Sequence, residues 1–199
     1  LKDIDNDPLT VPAGFKGVAV PGHRAHRALN SEEMMAFFKQ LEAKKIILSM
    51  CLADDAAQIA QMREVIEECP ELKIAIGHFG MVTTGHWMDQ IRLAEAKNVS
   101  VESGGITWLF NSEFYPFCGA VRAIREAIDL VGADKLMWGS DYPRTITAIT
   151  YRMSYDFVQK DPEHLLTEEE KQLFLGQNAQ RFYNFRNLPE LPYIKNMSE

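Results

Sequence analysis

Cysteine is scarce in this chain: Cys51, Cys69 and Cys118 are odd in number and stand at unpaired spacings. A disulfide framework needs pairs and a zinc ribbon needs a Cys-x-x-Cys step, so neither is supported, and a reducing cytoplasm is the expected setting. Long apolar runs are missing too. Nothing approaches the roughly 18 consecutive apolar residues of a membrane span, and no charged-then-apolar leader is present. An initiator methionine is also lacking, since the chain starts at Leu1 as a processed, truncated or partly observed protein would. Positive charge is the minority: 21 Lys and Arg against 28 Asp and Glu give a net charge of -7, with no basic stripe. Neither nucleic acid nor a membrane is therefore an expected partner. Repeats, low-complexity tracts and Gly/Ser linkers are absent, so residues 1–199 read as a single domain, with 160–199 as a C-terminal helical tail.

What is present is an alternation. "FKGVAV" (15–20), "KIILSMCL" (45–52), "KIAIGH" (73–78), "VSVES" (99–103) and "KLMWGSD" (135–141) are short runs rich in Ile, Val and Leu. Such runs suit strands buried on both faces of a parallel sheet. Helical patterns separate them. Met34, Phe37, Phe38 and Leu41 recur at spacings of three and four behind Asn30 or Ser31 as cap, and Ile59, Met62, Val65 and Ile66 do so before Pro70. Residues 86–98 and 116–132 repeat the design, with Pro116 suited to a helix start and Gly132 to an end. In the tail, Thr167 and Glu170 form a capping-box pattern, and Gly176 is the expected helix end before a short helix carrying Phe182, Tyr183 and Phe185. Repeated strand-helix units of this length imply an α/β fold with a parallel sheet.

Polar residues close the apolar runs. Asp141 ends the last, His78 ends "IAIGH", and Glu102 with Ser103 ends "VSVES", each beside glycine. In parallel sheets ligands bind outside the carboxyl ends of the strands, where such side chains converge. Asp141 also suits a turn acid before Pro143, His78 a bonded core histidine, and Glu102 a structural carboxylate. A second polar cluster, "PGHRAHR" at 21–27, follows the first run and so faces the same mouth. His23, Arg24, His26 and Arg27 there offer a grip for a carboxylate or form an exposed basic loop, and Arg144 is a further anion contact. His86 and Trp87 line the mouth or simply begin a helix.

"IAIGHFG", "NVSVESGG", "AIDLVGADKLMWGSDYPR" and "NAQRFYNF" resemble, in order and spacing, the C-terminal half of the amidohydrolase-related family of metal-dependent hydrolases and decarboxylases. The resemblance covers roughly residues 15 to 186 and implies a (β/α)8 TIM-barrel fold of which this chain carries strands four to eight. It implies that Asp141 is the acid of the eighth strand, a metal ligand or a proton acceptor from the attacking water. His78 would be the sixth-strand histidine that polarises a substrate oxygen or transfers a proton. Zinc or manganese is the implied metal, although the family's strand-one His-x-His pair has no counterpart and Ser49 or Cys51 stands where a histidine usually ends strand five. The expected activity is water addition to a lactone, ester or amide carbonyl of a small carboxylate substrate. Asp141 and His78 would carry it out, with Arg144, His23, Arg27 and Glu102 binding the substrate. A metal-dependent decarboxylase of an aromatic or unsaturated acid is one alternative, and an inactive barrel remnant serving in binding or assembly is another. A homo-oligomer is possible on this reading, because five strands leave raw sheet edges.

Overall fold

The computed structural model of the chain describes residues 5, 6, 9–11 and 13–188, so the end of the expected tail lies outside the described residues. Five parallel strands form one sheet in strict sequence order: β1 (Gly17–Val20), β2 (Ile47–Met50), β3 (Ile74–Ile76), β4 (Val99–Glu102) and β5 (Leu136–Met137). Between them run α1 (Glu32–Ala43), α2 (Ala56–Glu68), the short α3 (Trp87–Ile91), α4 (Ile106–Leu109) and α5 (Cys118–Val131). After β5 come α6 (Met153–Lys160), α7 (Glu168–Gln172) and α8 (Asn178–Phe182). Consecutive order is what a barrel requires, whereas a doubly wound sheet reverses its order part-way. The fold is therefore the α/β, TIM-barrel-type architecture expected, present as a five-stranded part.

Strand alternation sorts the sheet into two faces. Val20, Leu48, Met50, Ile74, Ile76, Val99, Val101 and Leu136 join Met34, Phe37, Phe38, Leu41, Ile59 and Met62 of the helices in one core. On the other face the register aligns Ala19, Ser49, Ala75 and Ser100 in a single row. Those small side chains leave space where a barrel interior is commonly filled by branched ones.

Several boundaries differ from the sequence expectation. The last strand is only Leu136–Met137, because the Trp138 N–H turns away to the Phe174 carbonyl of the tail at 2.8 Å. Asp141 thus stands four residues past the strand, in a loop. Gly176 does not end a helix: α7 and α8 are joined through a π-helical turn, Leu173–Gln177, that contains it. Pro116 precedes α5 by two residues, and α1 starts behind Ser31 without a side-chain cap. The Thr167–Glu170 capping box forms as expected. Asn178 then locks the tail to the sheet, its Nδ2 donating to the Ala133 and Leu136 carbonyls at 2.7 Å each. Further along, Lys16 and Lys73 donate to the Tyr183 and Phe182 carbonyls at 3.4 and 2.9 Å, with their ammonium groups over the Phe185 and Phe182 rings. Among the described residues no helix is long and apolar enough to cross a membrane.

Replacing Asn178 by Ala removes the side-chain donor from the buried Leu136 carbonyl, while the Ala133 carbonyl keeps the Leu136 N–H. Thermal unfolding of Asn178→Ala should show a loss of about 1–3 kcal/mol, while Gln180→Ala on the same helix should be near neutral.

Candidate active site

Parallel strands in register deliver their carboxyl ends to one side, and the predicted polar residues emerge there. His78 follows β3 through Gly77. Its backbone opens a run of left-handed residues, with φ of 53° at His78, 51° at Phe79, 60° at Gly80 and 55° at Met81. For residues with a Cβ that conformation costs roughly 1–2 kcal/mol each. The turn throws the imidazole across to the next strand end, where Nδ1 donates to the Gly104 carbonyl at 2.6 Å.

Trp108, on α4, ties the site together. Its Nε1–H donates to Asp141 Oδ2 at 2.9 Å, its ring lies edge-on to His78 with centroids 5.9 Å apart, and the Arg144 guanidinium sits 4.8 Å above it. One indole thus connects the three residues whose chemistry stood out. Sequence reasoning missed it, because "ITWLF" looks like apolar helix. The signal available was the glycine pair before it: a Cβ at Gly105 would lie 1.9 Å from Trp108 Nε1.

The first loop reaches the site only in part. His23 sits in the 3-10 turn Gly22–Arg24, with its N–H on the Cys51 carbonyl at 2.8 Å and Arg24 Nε donating to its ring at 3.2 Å. Burial holds the His23 pKa down, opposed by the Cys51 carbonyl and assisted by the charges of Arg24 and His78. Arg27 is not brought to the cluster, since its guanidinium is engaged by Glu33 at 2.9 Å and the Asp5 carbonyl at 2.7 Å. His86 pairs with Asp89 at 3.1 Å, and its N–H meets the Asp54 carboxylate at 2.7 Å, which is a helix-start role.

Electrostatically the mouth favours a charged His78. A hydrogen bond with Cys51 is the largest influence, burial opposes it, and the Cys51 charge, the Gly104 carbonyl and Asp141 add to the rise, which takes its pKa up to about 9. Glu102 moves upward as well: burial dominates, the positive charge of His78 and the N–H groups of His78 and Gly104 work against it, and Asp141 adds.

A metal finds a poor welcome here. Zinc asks for three or four N, O or S ligands, and among the described residues no three His, Cys, Asp or Glu side chains are grouped to hold an ion. The donor set does not fit zinc or manganese, so the chemistry is derived from the side chains alone. A cavity of about 510 Å³ lies at the opposite end of the strands against Lys16, Lys73 and Tyr183. A smaller one of about 200 Å³ abuts Trp108 and is lined by Phe114, Tyr115, Ile149 and Met153.

A family model described as amidohydrolase matches residues 11–185. The chain belongs to the amidohydrolase family. Among solved structures, an amidohydrolase from Burkholderia multivorans with bound HEPES superposes with a TM-score of 0.72 at 16% identity, covering 86% of this chain and 65% of that one. The same Burkholderia enzyme has also been crystallised with zinc. A protein described as a probable 2-pyrone-4,6-dicarboxylic acid hydrolase from Acinetobacter baumannii, with citric acid bound, gives 0.67 at 20% identity over 86% of this chain and 65% of that one. A 5-carboxyvanillate decarboxylase from Novosphingobium aromaticivorans, complexed with manganese, gives 0.60 at 17% over 86% and 57%. No curated protein matches. The chain thus spans about 65% of the length of the first of these relatives, and the likeness shows the amidohydrolase fold.

The raised His78 pKa has a stability consequence. A group whose folded pKa exceeds its unfolded value of 6.5 stabilises the fold fully below about pH 6.5 and loses that contribution as pH rises through about 9. Denaturation midpoints should therefore fall between pH 6.5 and 9, and His78→Asn should flatten that slope.

Proposed function

We propose that this amidohydrolase adds water to the carbonyl of a lactone, ester or amide in a small acidic substrate, at the carboxyl ends of the strands. The observation that carries the proposal is the Trp108 indole, which holds Asp141 at its N–H, His78 at its edge and Arg144 on its face. A base, an acid and an anion grip thereby share one support. Asp141 accepts a proton from water as the oxygen bonds to the carbonyl carbon. His78, protonated at neutral pH by its raised pKa, stabilises the oxyanion and then gives its proton to the leaving oxygen or nitrogen as that bond breaks. Arg144, with His23 and Arg24 nearby, holds a substrate carboxylate. Glu102, beneath His78, and Arg27, engaged by Glu33, are not assigned to substrate.

Non-oxidative decarboxylation is the second reading, favoured by one feature: an imidazolium can equally protonate a carbon as carbon dioxide leaves. In that scheme Asp141 would serve as a metal ligand instead of accepting the proton of water. A reducing, cytoplasmic setting and a carboxylate-bearing small molecule as partner belong to the same proposal.

Asp141 adopts φ 51°, a conformation that Asn tolerates well, and Asn can still accept the Trp108 N–H. Asp141→Asn should therefore keep the melting temperature of the parent while turnover of a lactone such as 2-pyrone-4,6-dicarboxylate drops about a hundredfold or more. Release of carbon dioxide instead of a ring-opened acid would favour decarboxylation. Equal turnover in parent and variant, including none in either, would remove Asp141 from the chemistry.

A further inference from the structure

The pocket of about 200 Å³ beside Trp108 lies between two segments: residues 111–117, which link α4 to α5, and residues 145–153, which lead from β5 into α6. Two of its residues also hold Asp141. The Trp108 Nε1–H donates to Asp141 Oδ2 at 2.9 Å, and the Thr145 N–H donates to the Asp141 carbonyl at 3.2 Å. The pocket is thus walled in part by the residues that fix the proposed base, next to the place where a substrate carbonyl would react.

Its lining is apolar because most of its polar atoms are engaged by other groups. The Tyr115 hydroxyl donates to Asp156 Oδ2, the Thr145 hydroxyl donates to the Ser140 carbonyl, and Glu113 Oε2 accepts the Gly119 N–H at 2.8 Å. What remains to meet an occupant is the rings of Trp108, Tyr115 and Phe117 with the side chains of Ile149 and Met153. The aromatic wall is braced from behind: Tyr115 stands edge-on to Phe117 with centroids 5.9 Å apart, and Phe117 edge-on to the buried Phe157 at 6.3 Å. Phe114, also in the lining, is 96% exposed. A ring left in water at the edge of an apolar pocket has area to gain when a ligand covers it. Size narrows the choice of ligand, since an engineered cavity of ~150 Å³ lined by Leu, Ile and Phe takes up benzene. This pocket therefore has room for one six-membered ring.

We propose that the pocket is the subsite for one planar six-membered ring of the substrate, seated beside Trp108 while the reacting carbonyl lies at Asp141 and the carboxylate lies on Arg144. The substrate class is then an acid that carries a ring next to its scissile ester, lactone or amide. This inference rests on the water-addition reading of the site, yet the ring site itself is tested without turnover.

Benzamide has one ring and no charge, so it probes the pocket apart from the Arg144 grip. Titrated into the protein, it should give proton cross-relaxation to the methyl groups of Ile149 and Met153 and shift the Trp108 indole N–H, whereas acetamide should do neither. Ile149→Trp, which fills the space, should weaken benzamide about tenfold or more. Phe114→Ala, at an exposed position, should weaken it about threefold or more and decides the matter if Ile149→Trp does not fold. In turnover, monobenzyl succinate should exceed monoethyl succinate about tenfold in kcat/KM, the two leaving alcohols being of similar acidity. Ring contacts confined to the groove lined by Lys16 and Tyr183, no contacts at all, parental affinity in the folded variants, or equal turnover of the two esters would overturn the proposal. Benzamide seated at Ile149 and Met153 with neither ester turned over would instead refute the water addition while the ring site stands.

Discussion

Parallel pairing in sequence order is the constraint on which everything else depends. Because Gly17 meets Ile47, Leu48 meets Ile74, Ile74 meets Val99 and Val101 meets Leu136, each strand ends on the same side of the sheet as its neighbour. A residue placed just past a strand then has no choice of neighbourhood. His78, Glu102, Asp141 and His23 meet although up to 118 positions separate them. The amino ends face a different fate: Lys73 and Lys16 bond the carbonyls of Phe182, the last residue of α8, and of Tyr183 just after it, and lie over the Phe182 and Phe185 rings, a favourable arrangement of cations at a helix C-terminus. The tail thus engages one end of the strands while the other is left to loops with polar side chains.

Those loops are held by a few strong contacts. Trp108 serves Asp141 with its N–H, Arg144 with its face and His78 with its edge. Gly105, in a left-handed conformation at φ 82°, gives the indole the space it needs. Beside them the Glu102 carboxyl sits among Gly77, Gly104 and Gly139. His78, whose pKa is pushed up to about 9, is the proton donor that the proposed water addition needs.

Much of this was legible in the amino-acid order, and the reasons are physical. Strands buried on both faces appear as unbroken apolar runs, so all five were found. Amphipathic spacing marked Phe37, Phe38, Ile59 and Met62 as core, where they lie. Limits fell where tertiary contacts override local signals. The stretch 135–141 looked like one strand, but the tail captures the Trp138 N–H and ends β5 at Met137. Gly176 looked like a helix stop, but the chain continues through a π turn, because Asn178 and Phe174 anchor it on either side. Arg27 carried an inviting charge that Glu33 and the Asp5 carbonyl take up. Trp108 gave no sign in its own spacing. Its role comes from residues 30 or more positions away, which no local pattern encodes.

Two places compete for the substrate: the strand-end cluster around Trp108 and the groove of about 510 Å³ lined by Lys16, Lys73 and Tyr183. The proposed mechanism favours the first, since His78, Asp141 and Arg144 gather there around Trp108. Titration of the protein with citrate, followed by amide and indole resonances, decides between them. The predicted result is perturbation of the Trp108 indole N–H and of His78, Asp141 and Arg144, abolished in Arg144→Ala. Perturbation confined to Lys16, Lys73 and Tyr183, or none at the mouth, would contradict the account.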